Sequence, residues 1–202
     1  MPPAYHAIIF DLGGVVVDVE SDRLIHQVAQ LIGRTFEEVH AAVYHQELLL
    51  PLELGQITPR DYYEGLKRFL DIPWTYEQFV RSWNDILREN PAVTQLVHRL
   101  RKHHKLIALS NTNELHLNHM KAIPALSVLD DWVASCDVGL RKPDPQIYRL
   151  AVQRVGVSVQ AAIYIDDRPE LVEAGRSAGL TAIRCESGEQ LERDLRALGV
   201  AL

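Results

Sequence analysis

Asp11 closes an apolar run, His6-Ala7-Ile8-Ile9-Phe10, and Gly13-Gly14 follow one residue later. Ser110-Asn111 close a second run, Leu106-Ile107-Ala108-Leu109, and Asp166-Asp167 close a third, Ala161-Ala162-Ile163-Tyr164-Ile165. Lys142 stands in Arg141-Lys142-Pro143-Asp144, just ahead of a helix opened by Pro145. Carboxylates, a hydroxyl and an ammonium make a set suited to phosphoryl chemistry. Crowded carboxylates stay ionised only beside a cation, and hard Mg²⁺ takes oxygen ligands of this kind. A phosphoryl group brings more negative charge, for which a metal ion, Lys142 and backbone N–H groups are suitable clamps. Each stretch alone has a plainer reading, because aspartates after strands also cap helices and turns. Their joint occurrence at the ends of successive apolar runs argues for a site.

The elements that must position these groups are legible around them. A short unbroken apolar run reads as a buried parallel strand, and paired glycines allow a tight turn and close approach of backbone to a ligand. From about residue 91 the pattern alternates. A helix over about 91–102 precedes the run ending at Ser110, and Trp132 to Ser135 is a further candidate strand. Asp144-Pro145 opens a helix to about Val155, Pro169 opens one that stops near Gly179, and Thr181 to Arg184 reads as a strand. Ser187-Gly188-Glu189-Gln190 has the form of a capping box for the last helix. Strands alternating with helices imply a doubly wound parallel sheet, whose strands' carboxyl ends share one edge. Asp11, Ser110 and Asp166 would therefore converge.

Residues 18–90 read differently, as four or so helices with no strand among them. Thr35-Phe36-Glu37-Glu38 and Thr75-Tyr76-Glu77-Gln78 fit the capping box, and Thr58 precedes a proline at the first helical position. Gly33 and Gly55 sit where helices should stop. The expected architecture is an α/β core of residues 1–17 and 91–202, with a helical domain of residues 18–90 inserted after the first strand.

Composition sets outer bounds. The 202 residues are 47% hydrophobic and 24% charged, ordinary for a globular protein. A net charge of −6 offers no basic footprint for nucleic acid or an anionic membrane. No apolar run is long enough to span a bilayer, and the first residues lack the charged start of a signal peptide. Cys136 and Cys185 have no metal-binding spacing and read as reduced thiols of a cytoplasmic protein. A monomer acting on a small phosphorylated molecule is expected.

This order of motifs resembles the haloacid dehalogenase-like superfamily over essentially the whole chain. Its motifs are matched by Phe10-Asp11-Leu12-Gly13-Gly14-Val15, by Leu109-Ser110-Asn111-Thr112-Asn113, by Lys142 in Arg-Lys-Pro-Asp-Pro, and by Ile165-Asp166-Asp167-Arg168-Pro169-Glu170. The Asp-Leu-Gly opening and Ser-Asn-Thr-Asn followed by His116 look most like the branch containing bacterial α-D-glucose-1-phosphate phosphatase. The resemblance implies a Rossmann-like core with an inserted helical cap domain, and a Mg²⁺-dependent phosphatase. It implies Asp11 as the nucleophile that forms an aspartyl-phosphate, and Asp11, the carbonyl of Gly13 and Asp166 as metal ligands. Asp167 would orient the ion's waters. Ser110 and the N–H of Asn111 would bind phosphoryl oxygens, and Lys142 would neutralise charge. His116 and His45 are weaker candidates for contacting substrate.

Position 13 departs from the family pattern. Most phosphatases of the superfamily carry a second aspartate there as general acid and base, and this chain has Gly13. A carbonyl ligand survives that change, but proton donation does not, and general acid–base catalysis is typically worth ~10²–10⁴-fold. The sequence therefore predicts a slow enzyme that prefers leaving groups departing unprotonated, such as sugar 1-phosphates, unless Asp18 or a residue of the insertion supplies the proton.

Three other readings compete. In a phosphorylatable receiver domain the acidic pair comes first and the phosphorylated aspartate later, the reverse of the order here. A haloacid dehalogenase needs no metal, and Asp166-Asp167 would then only repel. An inactive binding protein is the third, with Gly13 as its argument. The basic helix end around His98 to Lys105 complements the helix dipole and calls for no ligand. The aromatics Tyr62, Tyr63, Trp74, Tyr76 and Trp83 are expected to pack within the insertion.

Overall fold

A computed structural model describes residues 5–202. The first strand, β1 (Ala7–Phe10), runs into the Gly13-Gly14 turn and a second short strand, β2 (Val17–Val19). Helices α1 (Ser21–Ile32), α2 (Phe36–Val43), α3 (Gln46–Glu53), α4 (Pro59–Leu70) and α5 (Tyr76–Asn84) follow, then β3 (Leu87–Glu89) and α6 (Pro91–Leu100). The remaining chain alternates: β4 (Lys105–Ser110), α7 (Glu114–Lys121), β5 (Asp131–Ala134), α8 (Ser135–Val138), α9 (Pro145–Val155), β6 (Ala162–Asp166), α10 (Pro169–Ser177), β7 (Thr181–Arg184) and α11 (Gly188–Ala197).

Five strands form one parallel sheet in the order β5-β4-β1-β6-β7. Side chains alternate across it. Ile8, Phe10, Leu106 and Ile163 belong to the core on one face, with α6 and α11, while Ile9, Ile107, Leu109 and Tyr164 pack on the other, with α9 and α10. Burial on both faces is why these strands are apolar throughout rather than alternating. β1 is central, flanked by β4 and β6, with Phe10 level with Ala108 and Ile165. That register puts Asp11, Ser110 and Asp166 at one edge, as the doubly wound reading expects.

Residues 18–90 hold the five helices α1–α5, with one departure from the all-helix expectation. Val17-Asp18-Val19 pairs antiparallel with Leu87-Arg88-Glu89, a two-stranded neck where only helix was expected. Three residues per strand are too few to show a period in the sequence. Within the insertion, Thr35, Thr58 and Thr75 each form a reciprocal capping box, the middle one with Asp61. The last helix departs from its expected cap. Ser187 Oγ accepts the Gln190 N–H at 3.1 Å, but the Gln190 side chain turns to the Glu186 N–H instead of closing the box. The aromatics pack as expected: Tyr62, Tyr63, Phe79 and Trp83 lie with ring centroids 5.2–6.3 Å apart. The Tyr62 hydroxyl, inside that cluster, donates to the Val43 carbonyl at 2.7 Å. Cys185 is buried, Cys136 is partly so, and both are free thiols. Among the described residues, no helix is long and apolar enough to cross a membrane.

Candidate active site

Lys142 is the hub of the sheet edge. Its Nζ lies 3.0 Å from Asp11 Oδ2 and 2.7 Å from Asp166 Oδ2, with the ammonium almost wholly buried. A buried charge persists only when paired and hydrogen-bonded, and here two strand ends supply the partners. Asp166 is fully buried and further held, by the Tyr164 hydroxyl at Oδ2 and by the Arg168 N–H at Oδ1, 2.9 Å away. Tyr164 reads in the sequence as one more core residue of β6. A Cβ on Gly175 would stand 2.5 Å from its ring, so α10 can lie over the tyrosine only with glycine at that position.

The carboxylates of Asp11, Asp166 and Asp167 offer oxygens within 4.8 Å of one another. Burial pushes Asp11 up to about 7, with Asp166 adding to the rise and Lys142 opposing it. Asp167 is also raised, by burial first and by Asp166 second. In both carboxyls burial is the largest cause, and Lys142 opposes it. Asp167 Oδ1 is buried without a hydrogen-bond partner, a cost that a bound cation removes. Gly14 makes room for this carboxylate: its φ is +80°, and a Cβ there would meet Asp167 Oδ2 at 2.5 Å. An all-oxygen donor set with an orphaned carboxylate oxygen fits a hard divalent ion such as Mg²⁺.

Ser110 and Asn111 arrive from the end of β4. The loop is pinned by an exchange between Thr112 and Ser135, in which Ser135 Oγ accepts the Thr112 N–H at 2.9 Å and donates to the Thr112 carbonyl at 3.1 Å. Asn111 does something its motif does not advertise. Its side chain holds the backbone of Lys142 on both sides, accepting the N–H at 2.8 Å and donating to the carbonyl at 2.9 Å.

Asp11, Gly13, Ser110, Asn111, Lys142 and Asp167 line a cavity of about 460 Å³. The insertion closes one side of it through Tyr44 and Glu53, which the sequence reading did not single out. A smaller cavity of about 110 Å³ adjoins it, sharing Val19, Tyr44, Glu53 and Asn111 and otherwise mainly apolar. His116 lines the smaller cavity only. Its ring stacks on Trp83 with centroids 5.2 Å apart, and its Nε2–H donates to the Trp83 carbonyl at 2.9 Å. Its Nδ1 takes the Asn113 amide at 3.2 Å. Burial lowers its pKa to about 4, so near neutral pH the ring is uncharged and ties α7 to α5. His45 lies elsewhere: it precedes α3, packs 5.2 Å from the Phe69 ring and lines neither cavity. Asp18, the alternative proton donor, is exposed on β2 and accepts a hydrogen bond from Asn90 at 3.2 Å.

Comparison with known proteins follows the same lines. A phosphorylated carbohydrates phosphatase of Thermotoga maritima is 24% identical over 186 residues, covering 88% of this chain and 83% of the relative. A D-ribitol-5-phosphate phosphatase of Bacteroides thetaiotaomicron is 23% identical over 200 residues, covering 95% and 97%. The crystal structure of a HAD family enzyme from Bacteroides thetaiotaomicron, in complex with magnesium and inorganic phosphate, superposes with a TM-score of 0.81 at 21% identity, covering 92% of this chain and 96% of the other. The sequence pattern of the haloacid dehalogenase-like hydrolases matches residues 5–179, and the chain belongs to that hydrolase family.

Proposed function

We propose that the protein is a Mg²⁺-dependent phosphatase of small phosphorylated metabolites, sugar phosphates such as glucose 1-phosphate among them, working through an aspartyl-phosphate on Asp11. The observation that carries this reading is Lys142 Nζ bridging Asp11 and Asp166 within 3.0 Å while Asp167 Oδ1 has no partner. The relatives' names, phosphatases of phosphorylated carbohydrates and of ribitol 5-phosphate, support the substrate class.

In this reading Asp11 Oδ attacks phosphorus, and the ester oxygen leaves on the opposite side. Lys142 favours the ionised form of Asp11 against its burial and offsets charge on the phosphoryl oxygens. Ser110 and the Asn111 N–H, at the end of β4, would hold those oxygens. Bound by Asp11, the Gly13 carbonyl and Asp166, with Asp167 orienting its waters, Mg²⁺ would supply further charge stabilisation for the transferring group. The insertion closes one side of the cavity, and its closure over bound substrate would limit water in the first step. Burial of Asp11 and Asp166 strengthens each of these interactions, since charges interact more strongly away from water.

The test is phosphate release from p-nitrophenyl phosphate with Mg²⁺, with EDTA, and with Asp11→Asn. Turnover that needs Mg²⁺ and disappears in Asp11→Asn supports the reading, and a sugar-phosphate series headed by glucose 1-phosphate then ranks substrates. Chloride release from a 2-haloacid in EDTA, with no phosphate release, would replace it with a dehalogenase.

A further inference from the structure

The residue two positions after Asp11 is a glycine with no proton for the leaving oxygen, and a side chain there would press on Val19. A Cβ on Gly13 would lie 3.2 Å from Val19 Cγ2, and Val19 lines both cavities. Neighbouring candidates are engaged elsewhere. Asp18 bonds to Asn90 on the exposed side of β2, and both ring nitrogens of His116 are already bonded. The carboxylates among the residues lining the two cavities are Asp11, Asp167 and Glu53, and Glu53 alone lines both. Asp11 and Asp167 are committed to the phosphoryl end.

We propose that Glu53, at the end of α3, is the general acid for the leaving group and the general base for the attacking water, supplied from the helical insertion instead of from position 13. The proposal rests on the aspartyl-phosphate reading. In the first half-reaction an Asp11 oxygen bonds to phosphorus, the P–O bond to the leaving group breaks, and the Glu53 carboxyl proton passes to the departing oxygen. In the second, water bonds to phosphorus, the P–O bond to Asp11 breaks, and Glu53 takes the water's proton. Phosphate and alcohol are released, and both side chains return to their starting states.

Two contacts position the carboxyl. Arg141 Nη2 lies 3.0 Å from Glu53 Oε2, joining the insertion to the residue beside Lys142. Gly55, with φ +67°, lets the end of α3 settle on α8, since a Cβ there would stand 2.1 Å from the Cys136 carbonyl oxygen. The charged groups acting on Glu53 from the core are Arg141, Arg168 and Lys142, and each favours its ionised form. Burial outweighs them and raises the carboxyl above the ordinary glutamate value. A phosphoryl dianion entering the cavity raises it further, because like charge disfavours ionisation.

The experiment compares kcat/KM of wild type and Glu53→Gln on n-butyl phosphate, phenyl phosphate and 2,4-dinitrophenyl phosphate with Mg²⁺. This ratio reports the first half-reaction alone. Glutamine keeps the shape and a polar contact to Arg141, and activity on the dinitrophenyl ester shows that the variant is folded. The expected loss is on the order of 10²-fold or more on the butyl ester and under about threefold on the dinitrophenyl ester, whose leaving group needs no proton. Equal loss on all three would make Glu53 a positioning residue acting through Arg141 and overturn the proposal. So would no loss on any, with the Tyr44 hydroxyl then the next donor to substitute. Asp11→Asn in the same assay separates the two readings: if it turns over all three esters, the aspartyl-phosphate reading has failed on its own account.

Discussion

Asn111 clasps Lys142 by the main chain, bonding to its N–H and its carbonyl at 2.8 and 2.9 Å across 31 residues of sequence. The clasp ties the end of β4 to the loop that carries the hub lysine. It fixes where Lys142 starts, while Asp11 and Asp166 fix where it ends. Asn111→Ala removes two hydrogen bonds, each worth about 0.5–1.5 kcal/mol net. The larger consequence is kinetic, because displacing a positioning group by about 1 Å can cost ~10²-fold in rate. The expected result is a protein only slightly easier to unfold in urea, with kcat on p-nitrophenyl phosphate down about 10–100-fold. A rate within twofold of wild type would show that Lys142 is held adequately by its carboxylates alone.

Gly14→Ala should injure the site from the opposite side. The new methyl would overlap Asp167 and the backbone would keep a left-handed φ of +80°, which costs a non-glycine residue about 1 kcal/mol or more. Asp167 must move to admit the methyl. Activity should therefore need a higher Mg²⁺ concentration, on the order of tenfold or more, in line with losses seen when groups supporting metal ligands are removed. The check is a Mg²⁺ titration of initial rate. An unchanged half-saturating concentration would exclude Asp167 from the metal's surroundings.

Much of this arrangement is legible in the chain because the parallel sheet turns sequence order into spatial coincidence. Asp11 follows β1, Ser110 ends β4 and Asp166 ends β6, and the carboxyl ends of parallel strands share one edge, so three distant residues become neighbours. The capping boxes at Thr35 and Thr75 were equally readable, since each is closed within four residues. What stayed hidden depends on packing between separate elements. Glu53 reads as one exposed acid among many on a helix, and only the docking of α3 on α8 brings it to the cavity. Tyr164 reads as core, and only its place two residues before Asp166 on the same face of β6 gives its hydroxyl a carboxylate to hold. The β2–β3 neck escaped because three residues per strand carry no period. His45 was a candidate only by its position in the insertion, and the fold lays it against Phe69, away from both cavities.

Mg²⁺ should stabilise the fold as well as activate it. Asp11, Asp166 and Asp167 are gathered in the folded state only, so an ion bound there is linked to folding, with about 2.7 kcal/mol expected at a hundredfold excess over Kd. Thermal unfolding in EDTA and in rising Mg²⁺ should show the midpoint climb in wild type. Asp167→Asn retains the shape but removes a charge, so its midpoint should climb less at each concentration. If Mg²⁺ shifts both midpoints equally, the ion is acting elsewhere.

The acid sensitivity of the interface between the insertion and the core should trace to His116. Its ring lies stacked on Trp83 with both nitrogens bonded, and burial holds its pKa at about 4, with His119 adding a small push in the same direction. In the unfolded chain the same group titrates near 6.5. Between those values the unfolded chain binds a proton that the folded one refuses, so stability is full above about 6.5 and declines as pH falls toward 4. At about 1.4 kcal/mol per unit, the decline across the window is on the order of 2–3 kcal/mol. Asp11 and Asp167 are shifted upward and act in the opposite sense, so the wild-type curve alone understates the effect. His116→Gln isolates it, because glutamine can donate to the Trp83 carbonyl and does not titrate. In urea denaturation the variant should be less stable than wild type at pH 7.5, and the gap should narrow steadily at pH 6.5, 5.5 and 5. A gap that stays constant across those pH values would mean that His116 takes up its proton in the folded protein as readily as in the unfolded one.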